Sequence, residues 1–150
     1  MEKNRSVLKQ TIFLLLVSIF VTGCTVQWVP EYNEPLEAQI INGQKMTSKF
    51  YAGMMSDDSI NRPYENYKKG YADISSEISS IRFQVSSTKN AGLVLASVDT
   101  LSNKWLQYQK EHKDATRLTD SEIKIYMMYM DGFWKPLLVD MRALKMVRKK

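Results

Sequence analysis

The sequence predicts an all-α fold, an antiparallel up-down four-helix bundle placed after an N-terminal signal segment. Two observations carry that prediction. From Leu36 onward, apolar residues recur at alternating steps of four and three in four separate stretches, the spacing of one face of a helix. Short polar or proline-marked turns divide those stretches, and period-two strand patterns are absent. Short connections between amphipathic helices of similar length favour antiparallel neighbours around one core. The competing architectures are a three-helix bundle with the first segment lying across it, and a long hairpin that dimerises.

The first helix is expected to start at Asn33 or Glu34, because Pro35 lacks only an amide that has no partner in a first turn. Its row is Leu36, Ile40, Gly43, Thr47, Phe50 and Met54, and it should stop before Ser56-Asp57-Asp58-Ser59. Gly43 and Thr47 are small, which either lets a neighbour approach closely or weakens the helix. Pro63 marks the second start, and Tyr64, Tyr67, Tyr71, Ile74, Ile78, Ile81 and Val85 fill one heptad face without a gap. Glu65 and Lys69 sit four apart in the favourable order, while Gly70 opposes helix formation by about as much or more. Ser75, Ser76, Ser79 and Ser80 flank the row as a solvated or closely packed small face. After a turn at Ser86–Asn90, the third row is Val94, Val98, Leu101, Trp105, Tyr108 and His112.

Leu118-Thr119-Asp120-Ser121-Glu122-Ile123 is the strongest local signal. Thr119 and Glu122 form a capping box, each side chain taking the other's amide, and Leu118 can staple onto Ile123. The fourth row is Ile123, Met127, Met130, Trp134, Leu137, Met141 and Leu144. Pro136 falls inside it and predicts a kink between Asp131 and Pro136. The bundle domain is thus expected over residues 34–145, followed by a basic tail at 146–150 that frays.

The N-terminus has a different composition. Lys3, Arg5 and Lys9 precede an apolar run from Thr11 to Val21, the build of an export signal, and the run is well short of the roughly twenty residues of a permanent span. Val21-Thr22-Gly23-Cys24 closes it and resembles the lipobox of bacterial lipoprotein precursors. The resemblance covers the signal and Cys24 only. It implies cleavage between Gly23 and Cys24, removal of residues 1–23, and acyl chains on Cys24 that hold the protein to a membrane. Thr25 is not the aspartate that retains many such proteins at the inner membrane, so the resemblance implies the periplasmic face of the outer membrane. The alternative is an uncleaved N-terminal anchor with a coincidental Gly-Cys.

Cleavage would lower the chain's formal charge from +5 to about +3 and leave about 127 residues, enough for one core. Cys24 is the sole cysteine, so no intramolecular disulfide can form. Residues 24–33 make an acylated cysteine and a short tether, whose stretch from Thr25 to Asn33 reaches at most about 30 Å. Within it Trp28 and Tyr32 either lie among lipid headgroups or fold back onto the bundle.

Chemistry is sparse. His112, the single histidine, reads as a partly buried residue capping a helix C-terminus. The run Tyr126-Met127-Met128-Tyr129-Met130 offers soft thioethers suited to Cu(I), but Met127 and Met130 read as core fillers. Haem held by His112 and a methionine, and a hydrolase with groups converging on His112, are the other catalytic or ligand-binding options. Neither the ligands of a zinc site nor an Asp-rich calcium loop is present. Tyr64, Tyr67 and Tyr71 suit either an interface or a core margin with hydroxyls in water. The resulting expectation is an envelope lipoprotein that acts as a non-catalytic protein-interaction or assembly module. It has no catalytic residues, metal or cofactor. Its contacts are the membrane through Cys24 and an unidentified envelope protein partner, with no nucleic acid. The alternative is a bundle that binds a small ligand or a metal, copper or haem, in its interior.

Overall fold

In the computed structural model, residues 29–148 are described, and they form four long helices. We number these α1 (Glu34–Ser56), α2 (Tyr64–Ser86), α3 (Gly92–Asp114) and α4 (Asp120–Arg148), with one 3-10 turn at Ser59–Asn61. The first three rise about 35 Å and α4 about 43 Å. Substantial contacts run α1–α2, α2–α3, α3–α4 and α4–α1, which closes the ring of an up-down-up-down bundle. One end holds the start of α1, the 87–91 loop and the end of α4. The far end holds the 57–63 and 115–119 loops. No helix among the described residues is long and apolar enough to cross a membrane.

The helix starts follow local chemistry. The Asn33 side chain accepts the Leu36 amide at 3.1 Å, and Pro35 occupies the first turn. The Thr119 amide donates to Glu122 Oε2 at 2.8 Å while the Glu122 amide donates to Thr119 Oγ1 at 3.3 Å, closing the capping box. Leu118 and Ile123 are both buried beside it. Between α2 and α3 the turn passes through Asn90 at φ 61°, a left-handed position asparagine tolerates better than most residues.

Two expectations require correction. The core position in α1 is Tyr51, with Phe50 half-buried at its margin, and in α4 it is Tyr126, with Met127 on the exposed side. In both places two adjacent residues fit the periodicity; at 50 and 51 both rings meet Trp105 and Tyr51 takes the fully buried place, while at 126 and 127 the ring goes inward and the thioether stays out. Tyr126 stacks on Tyr108 with centroids 4.3 Å apart. Pro136, the residue at which a kink is expected, lies inside α4 on its exposed side, and helix is present on both sides of it. Finally, α4 continues to Arg148 rather than ending at 145. Lys145 and Arg148 suit a helix C-terminus electrostatically, and both sit over the Tyr32 ring, at 5.3 and 5.8 Å.

Two glycines are explained by what lies against them. A Cβ on Gly43 would come within 2.5 Å of the Trp134 ring, which crosses from α4 and donates from Nε1 to Thr47 Oγ1 at 3.2 Å. The small pair in α1 is therefore the notch that admits the largest side chain of α4. Gly70 does the same for Phe50, whose ring would lie 2.7 Å from an added Cβ. Polar side chains lace the helices outside the core. Gln39 donates to Ser80 at 2.8 Å, Asn42 to Glu77 at 3.1 Å and Gln44 to Asp131 at 2.7 Å. Arg82 pairs with Asp99 at 2.6 Å.

Candidate functional site

The far end of the bundle gathers the buried polar chemistry. Arg62, in the loop between α1 and α2, is only 4% exposed. Its Nε donates to the Asp57 carbonyl at 2.9 Å, its Nη2 to the same oxygen at 2.6 Å and to the Met55 carbonyl at 3.1 Å. Its Nη1 pairs with Asp120 at the start of α4, and the guanidinium holds that carboxyl below its usual range. A single side chain thus takes up carbonyls where α1 ends and ties them to the helix that α1 packs against.

His112 lies behind this clamp and is fully buried. Its Nε2 is 2.9 Å from the Arg62 carbonyl and its Nδ1 is 3.1 Å from the Tyr71 hydroxyl. A carbonyl can only accept, so Nε2 carries the proton. Burial disfavours a second proton, so Nδ1 accepts from Tyr71 and the ring is neutral. Burial pushes its pKa below the ordinary histidine value, although the bond to Arg62 works the other way. The expected place in the last turn of a helix holds, whereas the partial burial and capping role are corrected. The ring is an uncharged internal strut between α3, α2 and the 57–63 loop.

Tyrosines surround the strut. Tyr67 donates to Asp57 Oδ2 at 2.5 Å, and burial with that bond pushes its hydroxyl up to about 12. Tyr64 accepts from Gln109 at 2.9 Å and lies edge-on to His112. Tyr126 donates to Glu111 at 2.7 Å, and its pKa is raised, first by burial. The hydroxyls expected in water are therefore engaged with side chains. Tyr51, between Trp105 and Tyr126, carries a buried hydroxyl with no hydrogen-bond partner among the described residues, and burial raises its pKa strongly.

This arrangement binds helices together and leaves its groups little to offer a substrate. Both nitrogens of His112 are occupied, so the histidine is presented neither to a methionine nor to a nucleophile. Met130 is in the core, while Met127 and Met128 are exposed on α4. Among the described residues no group of three His, Cys, Asp or Glu is placed to hold a metal ion.

The opposite end is aromatic and basic. Tyr32 folds back onto the bundle, donating to Glu37 Oε2 at 2.5 Å, and Lys145 reaches the same carboxylate at 3.4 Å. The hydrogen bond from Tyr32, with Lys145 nearby, lowers the Glu37 pKa. Val29, Pro30 and Tyr32 with Leu144, Val147 and Arg148 line an open groove of about 490 Å³. Gly23, Cys24 and Trp28 lie outside the described residues, as do Lys149 and Lys150.

Sequence reading missed Arg62. Its main acceptors are backbone carbonyls, which carry no residue-specific signature, and a loop arginine ordinarily reads as solvated. No protein family matches this chain, and no curated protein or solved structure is significantly similar to it.

Proposed function

We propose that the chain is a lipid-anchored envelope protein whose bundle acts as a non-catalytic protein-interaction or assembly module. The observation that carries this reading is the basic, apolar, Val21-Thr22-Gly23-Cys24 succession at the N-terminus. Acyl chains on Cys24 would stabilise membrane attachment by about 0.8 kcal/mol for each buried methylene. Two features of the bundle support it. The chain enters at the end where Lys145 and Arg148 emerge, so a short tether would bring these cations near anionic headgroups. The buried titratable groups at the far end have structural partners, which favours a rigid recognition body over a reaction centre.

The test is mass spectrometry of the N-terminal peptide from membranes of cells expressing the full chain, beside a Cys24→Ala form. Crosslinked envelopes are then purified through each. Acylation at Cys24, with a stoichiometric partner lost in the variant, supports both parts. An unmodified Cys24 on an intact N-terminus would refute the anchor. An acylated chain carrying a metal or chromophore and no protein partner would refute the module and favour a ligand-binding bundle.

A further inference from the structure

We infer that the bundle stands upright on the bilayer, with exposed apolar side chains at the end where the chain enters seated among the lipid headgroups. The inference rests on the proposed lipid anchor and adds a second contact to it. Phe83 is 72% exposed and Leu93 86%, and Val29, Met146 and Val147 are exposed as well. These five come from four separate segments: the entry to α1, the end of α2, the start of α3 and the end of α4. Each lies at or within about one turn of the same end, and none belongs to the core row of its helix. Within one turn of the other end, Ile60 is the only large apolar side chain so exposed among the described residues. Exposed apolar residues are ordinary when scattered singly, whereas their collection from four segments at one end marks a contact surface.

The course of the chain says what covers this end. Tyr32 is hydrogen-bonded to Glu37, and Val29 lines a groove with Leu144 and Val147, so the entering chain is held against the bundle from Val29 onward. From Val29 back to Cys24 is five residues, at most about 18 Å of chain. An acyl anchor on so short a link keeps this end at the bilayer surface, where a shallow apolar rim enters the headgroup layer. Only an upright pose brings Phe83 and Leu93, on α2 and α3, to the lipid together with Val29 and Val147, beside α1 and α4. Charge agrees. Lys89 and Arg142 are exposed at this end, Lys145 and Arg148 keep their charge there while engaging Glu37 and Tyr32, and Lys149 and Lys150 follow in the sequence. These six cations outweigh Glu31, Glu34 and Glu37. On the exposed surface of the far end, Asp57, Asp58, Asp114 and Asp120 outnumber Lys113 and Arg117. An anionic leaflet therefore attracts one end and repels the other.

The test uses the full chain, purified from membranes and reconstituted into vesicles of phosphatidylethanolamine and phosphatidylglycerol. An acylated Cys24 has no thiol, so a single environment-sensitive dye can be placed through Phe83→Cys, Leu93→Cys, Ile60→Cys or Val139→Cys. All four positions are exposed, and the helical circular dichroism should be unchanged. Lipid carrying a nitroxide at its headgroup should quench the dye in Phe83→Cys and Leu93→Cys and leave it bright in Ile60→Cys and Val139→Cys. Mass spectrometry of the N-terminal peptide from the same preparation reads the anchor separately. Acylated Cys24 with both Phe83→Cys and Leu93→Cys dyes in water overturns the inference and leaves the anchor standing. Quenching in Val139→Cys instead, the mark of a bundle lying on its side, also overturns it, as does equal quenching in all four. An unmodified Cys24 refutes the anchor, and the inference falls with it.

Discussion

Arg62→Ala tests the claim that carbonyl capping, and not ion pairing, is what the buried arginine contributes. The side chain has two kinds of partner. The Met55 and Asp57 carbonyls sit at the end of α1 and lose their donor on truncation. A hydrogen bond to a charged group contributes about 1.5–3 kcal/mol, and two carbonyls lose theirs here. Asp120 is 62% exposed, so water takes over its solvation and the pair itself contributes little. Arg62→Ala should therefore cost about 3–4 kcal/mol, and Asp120→Asn only a small part of that. Against a total of about 5–15 kcal/mol the first is a large fraction. With a urea slope of about 1–3 kcal/mol/M, it should lower the unfolding midpoint by more than about 1 M. Urea titration followed by far-UV circular dichroism measures both variants. Equal losses, or an Arg62→Ala loss under about 1 kcal/mol, would refute the reasoning.

The remaining predictions use the same measurement. Gly43→Ala should destabilise by about 1–3 kcal/mol, because the buried Trp134 ring must move and the helix gains only about 1 kcal/mol from alanine. Gly132→Ala, where an added Cβ meets nothing, should instead stabilise the protein by about 0.5–1 kcal/mol. Tyr51→Phe removes a hydroxyl with no partner among the described residues and should be neutral or stabilising by about 1 kcal/mol; a loss above that would mean the hydroxyl is bonded. His112 has a folded pKa depressed below its unfolded value near 6.5, so the unfolded chain binds the extra proton. Its contribution is complete above about pH 6.5 and is lost as pH falls from there toward the folded pKa. A His112→Gln chain should lack that slope but keep the lower-pH loss from Glu37, Asp120, Glu122 and Asp131, whose folded pKa values are also depressed.

The bundle was legible because its determinants are local. Pro35 with Asn33, and Thr119 with Glu122, are cap chemistry within one turn, and the rows of α2 and α3 admit a single frame. Where two neighbours fit equally, as at Phe50 and Tyr51 or Met127 and Tyr126, period alone had no means of choosing, since the decision rests on rings brought from other helices. His112 was legible as a core-facing position but not as a neutral strut. Its partners are a hydroxyl on α2 and a carbonyl in the 57–63 loop. Gly43 was legible as small, while its occupant, Trp134, is contributed by the last helix.

That last fact sets when the protein can finish folding. The wall formed by Leu36, Ile40, Gly43 and Thr47 belongs to α1, and its cover arrives with α4. As the chain emerges N-terminus first, α1, α2 and α3 can dock early as sequential neighbours, yet the α1–α4 seam stays unsealed until Trp134 has emerged. A nascent chain halted before that residue would display an apolar trough along its whole length, a substrate for chaperones and proteases. Frameshifts or stop codons in the last helix should consequently yield no three-helix remnant at steady state, however sound the preceding segments are.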